Sequence, residues 1–437
     1  MPAKRSASLN PGVKRREVMA WAMYDFANSG YTTVVITAVY NAYFVAVIAG
    51  NASWASFAWG AALAVSYFSI MLSAPLLGAF ADVSGAKKRL LGLTTVGCVL
   101  ATAALALPQP GQIGWAMLLI AISNFFFGTG ENLIAAFLPE LARGRALGRI
   151  SGLGWGVGYL GGIVALLMAL AYVEQIQAVG GGSTQFVPGV MLITAGLFAI
   201  SSLPTFLLLR ERSVRRPLQI SQTISAYARL LQSLRQLKQF QDLTRFLLCI
   251  VFYQAGIMAV IALAAVYAQQ AMHFDTRHTI QLILIVNVTA ALGALGFGFV
   301  QDRLGHKVSI ALTLLAWLGM ILLAYSATTS ARFWFAANIA GLCLGASQSA
   351  GRALVGYLSP KSHRAEFFGL WGLAVKLSSI LGPITYGITV WISAGNHRLA
   401  MLITGVYFMI GLGVLLGVDV RRGRRTALRL HGMGAAS

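Results

Sequence analysis

A short polar motif occurs twice in this chain, 220 residues apart, and each copy interrupts sequence that is otherwise apolar. The first runs Gly78-x3-Asp82-x2-Gly85-x-Lys87 and the second Gly298-x3-Asp302-x2-Gly305-x-Lys307. A constant offset close to half of 437 residues means two related halves, not a string of unrelated domains. Within each half the apolar sequence falls into runs of about 20 residues, the length a helix needs to cross a bilayer. Twelve such spans are expected: Met19–Ile48, Trp54–Phe80, Leu90–Leu107, Ile113–Leu138, Ile150–Val173, Pro188–Leu209, Thr244–Gln270, Thr279–Val300, Val308–Ala327, Phe333–Tyr357, Phe367–Ser393 and Arg398–Val418. In both halves the motif lies between the second and third span. The runs do not alternate polar and apolar residues, which excludes a membrane barrel. The expected fold class is all-α integral membrane, with twelve transmembrane helices in two pseudo-symmetric six-helix halves.

Charge places this bundle in its membrane. Hydrophobic residues make up 57% and charged residues 10%, against about 45–50% and about 25% in soluble domains. A net charge of +21 would suggest nucleic acid in a soluble protein, but its distribution points elsewhere. All but six of the 33 Lys and Arg lie in the two tails and the loops after even-numbered spans. The opposite loops hold only Arg277, Arg332 and Arg398, while Arg245, Arg352 and Lys376 lie inside apolar runs. That asymmetry is the positive-inside signature, with both termini and both motif copies in the cytoplasm. The expected setting is a membrane, with the lipid bilayer as partner and no nucleic acid. The first span is too long and polar for a cleaved signal peptide and is retained.

The chain divides into a basic tail (1–18), a first half (19–209), a cytoplasmic linker (210–243), a second half (244–418) and a second basic tail (419–437). The linker opens on Arg210, Arg212, Arg215, Arg216 and Pro217. Its Ile220, Ile224, Tyr227, Leu231, Leu234 and Leu237 then recur at intervals of three and four. An amphipathic helix on the inner leaflet, basic face toward anionic headgroups, or a solvated tether both suit this pattern.

Signs of catalysis are missing. Gly156-x-Gly158-x2-Gly161 matches a dinucleotide fingerprint but sits inside the fifth span with no strand before it. Gly154/Gly158 and Gly158/Gly162 read better as small-x3-small pairs for close helix packing. The six histidines fall in loops or the tail without metal-ligand spacing. Cys98, Cys249 and Cys343 lie far apart inside spans, as packing residues. No catalytic residue, cofactor or metal is expected.

Ionisable groups inside the spans are few and costly, roughly 2.5–3.5 kcal/mol each near a helix centre, and by default line a bundle interior or aqueous cavity. The clearest are Asp25, Glu131, Arg352 and Lys376. Asp25, Asn28 and Thr32 share a face of span one, beside Tyr24. Gly341, Gly345, Gln348 and Arg352 share one in span ten, and Gly372, Lys376 and Ser379 one in span eleven. Asn132, Tyr253, Gln254 and Asn287 complete the candidate pathway. An offset of 221 aligns Pro139 with Pro360, Gly148 with Gly369, and Gly130-Glu131 with Gly351-Arg352. An acid in one half thus matches a base in the other. The expected pairing is Glu131 with Arg352, either as part of a site or as a plain ion pair holding the halves in register.

Twelve spans with this duplicated motif resemble the major facilitator superfamily. Within it, WAMYDFANSG (Trp21–Gly30), GRISGLGWGVGYLGG (Gly148–Gly162), QSAGRALVGYLSP (Gln348–Pro360) and EFFGLWGLAVKLSSILGP (Glu366–Pro383) resemble one branch. That branch holds the autophagy-related vacuolar amino-acid effluxers and their bacterial relatives, long filed as an unknown major facilitator family. Phe26, Gly351 and Ile134-Ala135 depart from its common residues. The resemblance implies a monomeric secondary transporter of a small polar solute, an amino acid or short peptide, working by alternating access around a midplane site. Protons are the candidate coupling ion. Asp25, with no cation near it in sequence, is the expected proton carrier, and Glu131 is expected to stay ionised. The motif is expected to form an inner gate in which Asp82 pairs with a cation or caps a neighbouring helix, with Arg89 and Arg303 as partners of Asp82 and Asp302. The alternatives are efflux of drugs or sugars, a transport-inactive signalling or scaffold protein, and a membrane-embedded enzyme.

Overall fold

The computed structural model describes residues 9–50, 52, 54–144, 146–212, 240–272, 276–360, 364–394 and 396–433. The amphipathic pattern read in the linker lies outside them. Twelve long helices fill the described chain. Helix α1 (Arg15–Ile48) opens as α-helix through Tyr31, widens to π-helix at Thr32–Ala38, and does so again at Phe44–Ile48. The others are α2 (Ala55–Ser84), α3 (Lys87–Ala104), α4 (Ile113–Ala135), α5 (Ala146–Ala178), α6 (Ser183–Leu208), α7 (Gln241–Met272), α8 (Thr276–Leu304), α9 (His306–Tyr325), α10 (Ser330–Leu358), α11 (Arg364–Ile392) and α12 (His397–Leu416). A thirteenth, α13 (Val420–Met433), follows without crossing.

Ten of these helices are long and apolar enough to cross a membrane. The two outside that set are still part of the bundle. Helix α3 has only 18 residues and opens on Lys87, Lys88 and Arg89. In α10 the polar side chains Ser347, Gln348, Ser349 and Arg352 are all buried. Both therefore read as less apolar than the bilayer alone would require, because polar groups inside a membrane protein face its interior.

Packing repeats between the halves. Helix α1 packs on α5 and α6, α2 on α4, and α3 on α4 and α6. In the second half α7 packs on α11 and α12, α8 on α10, and α9 on α10 and α12. Between the halves, α2 lies along α11 and α5 along α8, two symmetry-related seams.

Glycines make the seams possible. A Cβ at Gly78 would run into the Ala365 backbone of α11, and one at Gly369 into the Ala74 backbone of α2. On the other seam, a Cβ at Gly152 would strike the Ala294 carbonyl of α8. Within the first half, Gly154, Gly158, Gly161 and Gly162 seat α5 against α1, in keeping with their small-x3-small spacing. Both seams are tight near the motif. At the other end α1 opens out: Asp25 and Asn28 are buried, while Thr32, one turn on, is exposed. The bundle is closed at its motif end.

Candidate functional site

Each motif position has a physical task. Gly85 ends α2 in the left-handed region at φ 63°, and Gly305 turns α8 into α9 at φ 89°, conformations that side chains disfavour. Gly78 allows the close seam just described. Asp82 reaches across it: its Oδ2 accepts the backbone N–H of Glu366, in the first turn of α11, at 3.1 Å. The second copy mirrors this, with Asp302 Oδ1 accepting the Arg149 N–H in the first turn of α5 at 3.3 Å. Each acid thus sits at the positive end of a helix from the opposite half.

The lysines diverge. Lys87 lies 3.8 Å from Asp82 and bonds Glu140 directly, all three side chains being buried. Lys307 instead donates to the carbonyls of Leu416 (2.8 Å) and Val418 (2.7 Å) at the end of α12. Arg89 does not take the expected place beside Asp82. It is exposed two residues past Lys87, on the other face of α3. Arg303 lies exposed at the last turn of α8, directly after Asp302.

In the bundle centre the four charges singled out in the sequence pair otherwise than expected. Arg352 pairs with Asp25, Nη1 to Oδ2 at 2.7 Å, and Glu131 pairs with Lys376 at 3.3 Å. The expected Glu131–Arg352 pair does not form. Symmetry equivalents sit on opposite sides of the twofold axis, and each charge reaches the helix facing it. With Arg352 against it, Asp25 is not the cation-free acid expected of a simple proton carrier.

The two pairs differ in access. Arg352 also donates from Nε to Ser151 Oγ (3.1 Å) and from Nη2 to the Ser151 carbonyl (2.9 Å). Its guanidinium lies over Trp21 (4.7 Å) and Trp155 (5.2 Å), and Gly154 leaves the room it occupies. Only 3% of the Arg352 side chain and 10% of Asp25 are exposed. Lys376 lies between Tyr67 (5.3 Å) and Phe127 (5.7 Å). Its partner Glu131 keeps 24% of its side chain exposed.

Polar neighbours gather around these pairs. Gln254 and Gln348 exchange two amide hydrogen bonds between α7 and α10, at 2.7 and 3.3 Å. Asn132 is buried over Gly372, and among the described residues neither its oxygen nor its nitrogen is bonded and Asn28 Oδ1 has no partner. Tyr24 turns away from Asp25, its hydroxyl 2.8 Å from Thr95 Oγ1. Tyr253 lies buried over Gly351. Thr32 bonds the Asn28 carbonyl at the point where α1 widens to π-helix, a distortion that recurs at functional sites. Asn287 is half-buried and bonds the Ile283 carbonyl of its own helix. Ser151, Trp21, Trp155, Tyr67 and Phe127 were not foreseen. The signal was there for Ser151 and Trp155, which lie in the string Gly148–Gly162, and for Trp21, which opens the string Trp21–Gly30. Among the described residues no group of three or more His, Cys, Asp or Glu could hold a metal.

A two-halved helical bundle with opposed charges across its centre, closed at one end by a duplicated motif, has the architecture of the major facilitator superfamily. Solved structures agree on the fold. The human organic anion transporter MFSD10 (TETRAN) superposes with a TM-score of 0.68 over 92% of this chain and 99% of that one, at 15% identity. More specifically, residues 41–428 match the model of the family described as "Vacuole effluxer Atg22 like", and the chain belongs to that family. It is 26% identical over 407 residues to "Uncharacterized MFS-type transporter YxiO" of Bacillus subtilis, covering 91% of this chain and 93% of that protein. "Autophagy-related protein 22-1" of Neosartorya fischeri is 26% identical over 308 residues, 64% of this chain and 50% of that protein. The chain thus spans about half the length of that fungal relative. It is a multi-pass membrane protein of the MFS transporter type.

Proposed function

We propose that this transporter carries a small zwitterionic solute, an amino acid or short peptide, across a bacterial inner membrane by alternating access, and that Lys376 and Glu131 are the charges the solute engages. One observation carries this reading: Glu131, the most exposed of the four central charges, stands 3.3 Å from the buried Lys376, an anion and a cation matched to an ammonium and a carboxylate on one molecule. A solute inserting its carboxylate toward Lys376 and its ammonium toward Glu131 replaces one ion pair by two. Neither buried charge is then left bare, which is the costly outcome. Asn132 and Asn28, with bonding capacity unused among the described residues, are suited to the solute's polar atoms, and Tyr67 and Phe127 to its apolar portion.

Asp25–Arg352 has a different role, as the lock that joins the halves beneath the site. Opening the motif end separates the two, and a proton taken up by Asp25 removes the cost of a carboxylate that has lost its guanidinium. This keeps proton coupling at Asp25, moved from a free carrier to a broken pair. The uneven distribution of Lys and Arg supports a cytoplasmic motif end. Cysteine in place of Ser183, at the other end, should then react with an impermeant thiol reagent from outside, and one in place of Arg425 should not. The three native cysteines are buried and leave the assay clean.

Counterflow in proteoliposomes tests the substrate class, with labelled neutral amino acids and dipeptides against a sugar and an organic anion. Zwitterion exchange should fall about tenfold to a hundredfold in Lys376→Gln and in Glu131→Gln, the scale of a lost bond to a charged group. Sugar or anion exchange without zwitterion exchange would overturn the assignment.

A further inference from the structure

Away from the central pairs, a cavity of ≈ 510 Å³ opens at the motif end of the second half, lined by Arg245, Lys307, Arg421 and Arg422, by Asp419, and by the backbone leaving α12. Comparison with the first half shows what is missing from it. There the chain leaving α6 is fastened by an acid at the start of α1: Glu17 accepts the Arg210 N–H and pairs with Arg212 at 2.7 Å. In the second half Asp242, at the start of α7, accepts the Asp419 N–H and pairs with Arg422 at 2.7 Å. The third residue past α6 is Glu211, whose carboxylate caps α3 by accepting the Lys87 and Lys88 N–H groups at 2.7 and 3.2 Å. The third residue past α12 is Asp419, and its carboxylate is turned instead to α13, accepting the Arg421 and Arg422 N–H groups at 2.9 Å. The Arg422 N–H holds that carboxyl below the usual range, so it stays an anion committed to α13.

The second half therefore has cations where the first half supplies its own carboxylate. Among the described residues Arg245 donates from one nitrogen, to the Gly417 carbonyl (3.1 Å). The Arg421 guanidinium makes no side-chain hydrogen bond among the described residues and is exposed. An apolar border adjoins them: Leu416 lines the cavity, Leu248 stands one turn after Arg245, and Val308 follows Lys307, all exposed.

We infer that this cavity binds a phosphate-bearing anion in the position that Glu211 fills in the first half. The apolar border favours an anionic phospholipid, headgroup in the cavity and acyl chains along Leu416, Leu248 and Val308. Bound there, it would tie α7, α9, α12 and α13 together at the motif end and bring the second half to the order the first achieves unaided.

Native mass spectrometry of the full-length protein in detergent tests this, with dioleoyl phosphatidylglycerol against dioleoyl phosphatidylcholine as probes and inorganic phosphate as a separate arm. Wild type should retain phosphatidylglycerol in preference. Arg421→Gln, which breaks no side-chain bond, should weaken retention about fivefold, and adding Arg245→Gln about fivefold again, the effect of one basic residue at an anionic surface. Arg425→Gln removes an equal charge from α13 outside the cavity lining and should weaken retention less. Protection from thermal unfolding by inorganic phosphate, lost in Arg421→Gln, with no lipid preference, would assign the same site to a free phosphate. Absence of both effects, or an equal loss in Arg425→Gln, overturns the inference.

Discussion

The two halves match down to single contacts and differ in the charge set upon them. In the first, Gly130 of α4 makes room for the Tyr24 hydroxyl of α1; in the second, Gly351 of α10 makes room for the Tyr253 hydroxyl of α7. The residue after each glycine is Glu131 in one half and Arg352 in the other. The residue after each tyrosine is Asp25 in one and Gln254 in the other. The first half thus supplies two acids to the centre and the second, with Lys376, two bases, and both ion pairs cross between halves. Like charges on the two sides would repel as the halves close. Opposite charges make closure favourable and leave each half, alone, with groups it cannot satisfy. Gln254, relieved of charge, pairs with Gln348 inside its own half.

The sharpest way to break this comparison is to remove one side of the buried lock. Arg352→Met strips Asp25 of its partner and removes both guanidinium bonds to Ser151, whose hydroxyl keeps its bond to the Ser349 carbonyl. It should destabilise the protein by about 3–5 kcal/mol, the cost of breaking rather than replacing a buried pair. Adding Asp25→Asn should recover much of the loss. Thermal unfolding in detergent measures both, and additive losses in the double variant would show that the charges do not depend on each other.

Next in size is the pair of motif glycines. Gly78 packs directly on the α11 backbone, whereas a Cβ at Gly298 would meet the Gly148 carbonyl and Arg149 Cα at 3.1 Å. Gly78→Ala has no side chain to push aside and should cost about 1–3 kcal/mol, with turnover falling in parallel. Gly298→Ala needs a shift of a few tenths of an ångström and should be milder on both measures. Equal effects would mean that the two seams close equally tightly.

Most of the architecture was legible in the chain because the bilayer writes it there. Apolar runs, the duplicated motif and the few charges within spans each have a single physical explanation in a membrane. The pairing was not legible. Aligning Glu131 with Arg352 identifies symmetry equivalents, and equivalence across a twofold axis says nothing about contact. Arg352 meets α1 and α5, and Glu131 meets α11, because those helices face them, which depends on packing rather than on offset. The fastenings at the motif end were also hidden. Glu17, Glu140, Glu211 and Arg212 look like solvated charges near helix ends, and only the fold brings the segment after α6 over α1 and α3. Arg89 misled for a simpler reason: two residues along a helix from Lys87, it points to another side.

The gate acids should show the smallest difference, and it follows from their surroundings. Asp82 accepts the Glu366 N–H at 3.1 Å and shares Lys87 with Glu140. Asp302 accepts the Arg149 N–H at the longer 3.3 Å, while the lysine of its own motif is committed to the carbonyls ending α12. Asparagine keeps an acceptor oxygen and loses the charge, so each substitution removes the ionic part of one cap, and at Asp82 the attraction to Lys87 as well. Asp82→Asn should shift the closed state by about 1–2 kcal/mol, a five- to thirtyfold change in the population open at the motif end. Asp302→Asn should shift it by less than about 1 kcal/mol. Spin labels on cysteines replacing the exposed Arg89 and Arg425 place one probe on each half, and the weight of the longer distance reports opening directly. A larger shift in Asp302→Asn than in Asp82→Asn would reverse the ranking of the two halves and show that the second motif, despite its longer cap and diverted lysine, holds the gate.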